Sequence, residues 1–166
     1  MTQINAYRYI HQRLEEIYFH GEWQLQWYEP NPYFELTFQM PLSGDTSELM
    51  MENIPVESVN TLQTVYEFRI NFYDGQRIQL DAKDGLASFA IHPTEGICQG
   101  DILAILTYVK QLQARMKLKW HEFMAAYPKE SFEVVWDDVI FEGIKDRLKR
   151  QHRYSYERLV FKEEMN

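Results

Sequence analysis

Between Asp101 and Tyr127, apolar or aromatic side chains recur at Ile102, Ile105, Val109, Leu112, Met116, Trp120, Phe123 and Tyr127, always three or four residues apart. That spacing is one stripe of an α-helix, widened at its edges by Leu103, Leu106 and Met124, while Lys110, Gln113, Lys117 and Glu122 fall elsewhere. Such a helix runs roughly 40 Å. Its stripe carries too much apolar surface to stay in water, so the rest of the chain must supply a covering layer.

Short alternating segments are the candidates for that layer. Trp23, Leu25 and Trp27 alternate with Gln24 and Gln26, and Phe34, Leu36, Phe38 and Met40 alternate with Glu35, Thr37 and Gln39. The break at Glu29-Pro30-Asn31-Pro32 joins them as a hairpin, because proline fixes φ and removes ladder donors. Tyr66, Phe68, Ile70 and Phe72 form a third run, and Asp74-Gly75 before Ile78 and Leu80 signals a type I′ hairpin. A further short strand follows at Leu86 to Ile91, and Phe132, Val134 and Trp136 read as a late strand. Pro41 to about Thr61 reads as a long surface excursion with Leu49 or Met50 tucked inward.

Helices flank the strands. Thr2 is positioned to cap a first helix with the stripe Ile4, Tyr7, Ile10, Leu14 and Ile17, stopped near Gly21. Asp101 is the expected cap of the long helix, which Pro128 terminates. Asp137 or Asp138 caps a final helix carrying Ile140, Phe141, Ile144 and Leu148. Tyr154 to Phe161 reads either as a last edge strand or as a tail. The fold expected is therefore α+β: one domain over residues 1–166, with an antiparallel sheet of about five strands and an N-terminal helix. The long helix lies on one sheet face, a late strand and helix follow, and residues 150–166 form a partly ordered basic end. The same element order occurs in small acidic chaperones of secretion systems, an analogy of architecture alone.

Length and composition bound the function class. A chain of 166 residues buries about 70% of its unfolded surface, and 15% aromatic content means that rings must build much of the core. The single Cys98 excludes an internal disulfide, and no apolar stretch approaches the roughly 20 residues that span a bilayer. No N-terminal run resembles a secretion signal, so a cytoplasmic location is expected. The net charge of −8 opposes general affinity for phosphate backbones. It is unevenly spread: residues 145–162 hold seven Lys or Arg against Asp146 and Glu157, a local +5, which leaves −11 on residues 1–144.

Familiar chemical motifs are missing. His121-Glu122 opens like the zinc-protease pattern H-E-x-x-H, but Ala125 stands where the second ligand is required. Gly96 to Gly100 is followed by Asp101, so no phosphate loop forms, and neither a dinucleotide fingerprint nor a G-x-S-x-G elbow occurs. No catalytic, cofactor or metal residues are assigned. Cys98 and His92, six residues apart, are the least remote nucleophile and base, although a lone cysteine at a helix entry more often fills space. Asp137-Asp138 is better read as a helix cap than as a catalytic pair.

One constellation suits binding: Arg147, Lys149, Arg150, Arg153, Tyr154, Tyr156 and Arg158. Arginines neutralise phosphates and tyrosines stack on unpaired bases, a combination for single-stranded nucleic acid. The simpler reading places these cations at a helix C-terminus, where the helix dipole favours them. The leading expectation is a non-catalytic protein-binding module, adaptor or chaperone-like, that pairs with a partner protein or as a homodimer. Its rationale is an aromatic surplus at Trp23, Trp27, Tyr28, Tyr33, Tyr66 and Tyr73. A nucleic-acid accessory protein and an unrecognised enzyme are the alternatives.

From Phe89 to about Phe141 the order is distinctive. A strand ends at Ile91-His-Pro, a turn follows at Glu95-Gly96-Ile97, then the long helix, then Phe132-Glu-Val-Val-Trp136 with acidic residues and a Phe after it. It resembles a domain-of-unknown-function family of small acidic proteins from lactic-acid bacteria and their relatives. The resemblance implies an α+β architecture and a cytoplasmic location and transfers no functional residues. The basic tail from Arg147 is not part of it.

Overall fold

The computed structural model describes residues 5–28, 33–42, 64–76, 85–126 and 134–161. Helix α1 (Ala6–Glu16) begins after Asn5, whose side-chain oxygen accepts the Arg8 N–H at 2.8 Å. Asn5 is thus the cap, and Thr2 lies outside the described residues. The predicted stripe becomes core at Ile10 and Leu14, joined by Ala6 and Tyr9. Tyr7 stacks on Trp27 with ring centroids 5.3 Å apart and donates its hydroxyl to the Leu25 carbonyl.

Four strands form the main sheet in the order β1 (Glu22–Tyr28), β2 (Tyr33–Leu42), β3 (Thr64–Asp74), β4 (Ala87–Ile91). The first two pairings are antiparallel, in a register that sets Trp27 beside Phe34 and Phe34 beside Phe72. Rings therefore stack across strands: Phe34 on Phe72 at 5.0 Å and Phe38 on Phe68 at 5.1 Å. Each fully buried Phe or Leu on this face contributes on the order of 1.5–3 kcal/mol.

Several expectations change in detail. β4 runs parallel to β3, so the sheet is mostly and not wholly antiparallel. Asp74 does make a turn, its carboxylate accepting the Gln76 N–H at 3.0 Å, but Ile78 and Leu80 lie outside the described residues. Twelve residues separate β3 from β4, the length a parallel connection needs. Pro41 and Leu42 belong to β2 and not to the long excursion. β1 stops at Glu22 opposite Gln39, so β2 has a strand on one side only at Pro41, where a missing donor is tolerated. Residues 43–63 of that excursion lie outside the described residues. Val134 to Trp136 form no strand, and Phe132 lies outside the described residues. The face expected to be wet is also partly closed: Glu35 and Asn71 are buried there, with Tyr28 and Thr37 donating their hydroxyls to the Glu35 carboxylate.

A two-residue strand, β5 (Ile97–Cys98), leads into α2 (Gln99–Ala126), the long helix. Ile102, Ile105, Val109, Leu112, Met116 and Trp120 are buried as the periodicity requires. Asp101 lies inside the first turn and is not the cap. Gln113, expected off the stripe, is 3% exposed. Its amide oxygen accepts the His20 N–H at 2.9 Å and its amide nitrogen donates to the His20 carbonyl at 3.0 Å, which satisfies the chain between α1 and β1. Helix α3 (Asp138–Arg150) runs antiparallel to the first half of α2, as Lys145 meets Asp101 and the Asp137 N–H meets the Tyr108 hydroxyl. Strand β6 (Arg158–Leu159) pairs antiparallel with β5 in a second, two-stranded sheet. Among the described residues no helix is long and apolar enough to cross a membrane.

Gln113→Leu should lower the unfolding free energy by about 1–3 kcal/mol despite its greater apolarity, because the His20 backbone groups lose their buried partners. Denaturant unfolding with an unchanged m-value checks this.

Candidate functional site

The basic C-terminal stretch is built into the fold. Arg147, Lys149 and Arg150 occupy the last turn of α3, where the dipole favours cations. The helix ends with the Arg153 N–H on the Leu148 carbonyl and the His152 N–H on the Lys149 carbonyl, with His152 left-handed at φ 58°. That reversal sends the chain back across the start of α2. There the Gln99 and Gly100 N–H groups, which a helix cannot satisfy internally, donate to the carbonyls of Glu157 and Ser155. The Val160 carbonyl does the same for Ala6 at the start of α1, and Phe161 enters the core against Trp27 and Phe34. Tyr154 to Phe161 is thus a clasp and not a tail.

This placement divides the seven candidate binding residues. Tyr154 lies over Gly100 and donates its hydroxyl to Asp101 at 2.6 Å, while Lys145 pairs with the same carboxylate at 3.1 Å. Burial, then the hydrogen bond to Asp101 and its charge, hold the Tyr154 phenol well above its ordinary value of 10.0. Lys149 sits over the Tyr154 ring and Arg158 donates to the Glu95 and Gly96 carbonyls. Arg147, Arg150, Arg153 and Tyr156 are exposed. The arginines share one end of the fold, but Tyr154, one of the two rings read as base-stacking, is engaged internally.

Among the described residues the nucleophile and base share no hydrogen bond, and each has other partners. The Cys98 thiol lies 4.0 Å from the Tyr156 carbonyl, and His92 Nδ1 accepts the Thr94 and Glu95 N–H groups of its own turn. The surplus rings divide between the two sheet faces, with Tyr28, Tyr33 and Tyr73 side by side in the strand register and half-buried on the face away from the core. Trp23, Trp27 and Tyr66 pack against the core, and Tyr28 stacks on Tyr33 with centroids 4.9 Å apart. Among the described residues no group of three or more His, Cys, Asp or Glu could hold a metal.

A cleft of about 390 Å³ opens instead between α2 and residues 134–138. Leu112 and Met116 belong to its floor, and Arg115, Lys119, Val135, Trp136 and Asp138 line it. Tyr108, fully buried, organises the site. Its ring lies 4.0 Å from that of Trp136, its hydroxyl accepts the Asp137 N–H at 2.8 Å, and Arg115, two turns on, lies over its face at 5.4 Å. Asp137 in turn caps α3 by accepting the Val139 and Ile140 N–H groups. The Arg115 Nη2 atom is buried with no hydrogen-bond partner among the described residues. Val135 in the cleft wall is 71% exposed, and Val139, beside Asp138, is 82% exposed. Reading residues 132–136 as a strand hid this site. Its one sequence signal was a cation at position 115 flanked by Leu112 and Met116 of the stripe.

Residues 1–158 match DUF3013, a family of proteins of unknown function. The chain belongs to that family. Its fold is shared with the crystal structure of a conserved protein of unknown function from Enterococcus faecalis, at a TM-score of 0.74 and 16% identity, covering 96% of this chain and 97% of the other. No curated protein matches the chain. The match to DUF3013 spans far more than the 89–141 segment that carries the resemblance in sequence, and it includes most of the basic stretch.

Two changes test the clasp of this DUF3013 protein. Gly100→Ala should destabilise by about 1–3 kcal/mol, although helix propensity alone favours Ala by about 1 kcal/mol, because the added Cβ meets the Tyr154 ring. A Tyr154→Ala background should remove that penalty, as a double-mutant cycle measured by denaturation would show. The raised Tyr154 phenol binds its proton more tightly folded than unfolded, so its contribution is present below pH 10.0 and lost as pH rises further. Stability of the wild type should fall more steeply above that pH than stability of Tyr154→Phe.

Proposed function

We propose that the chain is a non-catalytic protein-binding module, adaptor or chaperone-like and cytoplasmic, that engages its partner at the cleft between α2 and residues 134–138. The observation that carries this reading is exposed Val135 in a concave wall of aromatic and cationic side chains, with exposed Val139 following the lining Asp138 along the chain. Exposed apolar groups around a rigid recess are where protein partners dock, and Trp, Tyr and Arg are the residues that anchor such contacts. Trp136 is held by Tyr108, Phe89 and Phe141, so little side-chain freedom is lost when it is covered. The basic strip supports the nucleic-acid alternative less, because Tyr154, Lys149 and Arg158 already have internal partners.

The test is affinity capture from a bacterial lysate, washed at high salt and treated with nuclease. The wild type should retain specific proteins, and Val135→Asp combined with Val139→Asp should lose them with stability changed by only about 0.5 kcal/mol per exposed site. An Arg147, Arg150 and Arg153 triple Ala variant should retain them. The opposite pattern, with release by nuclease, would favour the nucleic-acid reading.

A further inference from the structure

Within that cleft, Arg115 narrows what the partner must present. Its guanidinium is held over the Tyr108 ring, and Nη2 is buried without an acceptor among the described residues. An arginine N–H withdrawn from water and left unpaired is costly, whereas a carboxylate matches the planar fork of guanidinium donors. Lys119, one helical turn further along α2, places a second cation on the same wall. The two acids of the cleft do not neutralise this pair: the Asp137 carboxylate is turned to the Val139 and Ile140 N–H groups, and among the described residues neither Asp137 nor Asp138 forms an ion pair with Arg115 or Lys119. They do oppose a strongly charged ligand. A single carboxylate fits this balance better than a dianionic phosphate.

We infer that the cleft binds a partner segment that presents one carboxylate, from Asp, Glu or a chain terminus, to Arg115 while adjacent apolar side chains cover Val135 and Val139. This rests on the protein-binding reading and adds the charge complementarity of the occupant.

The experiment uses the intact protein and short immobilised peptides rich in Leu and Val, printed as sets that differ only in a central Glu, Gln or phosphoserine. The wild type should bind the Glu peptides roughly tenfold more tightly than their Gln twins, the size of one charged hydrogen bond. Arg115→Met should erase that preference and Arg115→Lys should keep part of it. Val139→Asp, an exposed change, should weaken all the peptides. Thermal melts of the variants confirm that they fold. Equal binding of Glu and Gln twins, with both lost in Val139→Asp, would overturn the carboxylate inference and leave the protein-binding reading standing. Tightest binding by phosphoserine would overturn it in favour of a phosphopeptide. Retention of no peptide would overturn it too, and valine-dependent capture from lysate would then show whether the broader reading survives.

Discussion

Two helices of this protein begin where the end of the chain supplies acceptors for their first N–H groups. The carbonyls of Ser155 and Glu157 close the start of α2, and that of Val160 closes the start of α1. Left unpaired, those N–H groups would each cost free energy comparable to a lost hydrogen bond. The clasp also fixes where α2 lies. Tyr154 over Gly100, Asp101 between Tyr154 and Lys145, and Phe161 against Phe34 tie helix, sheet and chain end into one arrangement. Gly96, at φ 73°, is required by the same closure, since any Cβ there would run into the Leu159 carbonyl. The position of α3, and with it the cleft at Arg115, follows from how α2 is seated.

What could be read in the sequence is what depends on neighbours along the chain. The α2 stripe, the Asp137 cap and the alternation of β1 and β2 are local periodicities or caps, and they appear where expected. What could not be read depends on residues far apart. Gln113 looks like a surface glutamine until His20, 93 positions away, is placed against it. Tyr154 looks free to stack on a base until Asp101, 53 positions away, accepts its hydroxyl. The parallel pairing of β4 with β3 has no signature in a strand only five residues long. Alternation assigned Glu35 to a wet face, but a face is wet only if nothing covers it, and periodicity carries no information on that.

The same distinction separates the basic stretch from the cleft. The basic stretch stood out in composition, yet much of its chemistry is spent on holding α2 and the 95–96 turn. Arg115 did not stand out, being one cation in a helix with several. It becomes conspicuous only when Tyr108 is placed beneath its guanidinium and Trp136 in the same cleft wall, with Nη2 lacking an acceptor among the described residues. A buried donor without an acceptor among the described residues calls for an explanation that several exposed charges do not. Membership of DUF3013 and the shared fold of the Enterococcus faecalis protein establish the architecture; the functional assignment rests on these residues.

Site-specific photo-crosslinking in living bacteria separates the two surfaces most directly. A benzophenone amino acid placed at Val135, in the cleft wall, should give a discrete protein adduct, and the same group at Tyr156, on the basic strip, should give none. An adduct confined to Tyr156, or one with nucleic acid, would contradict the assignment of the cleft as the binding surface.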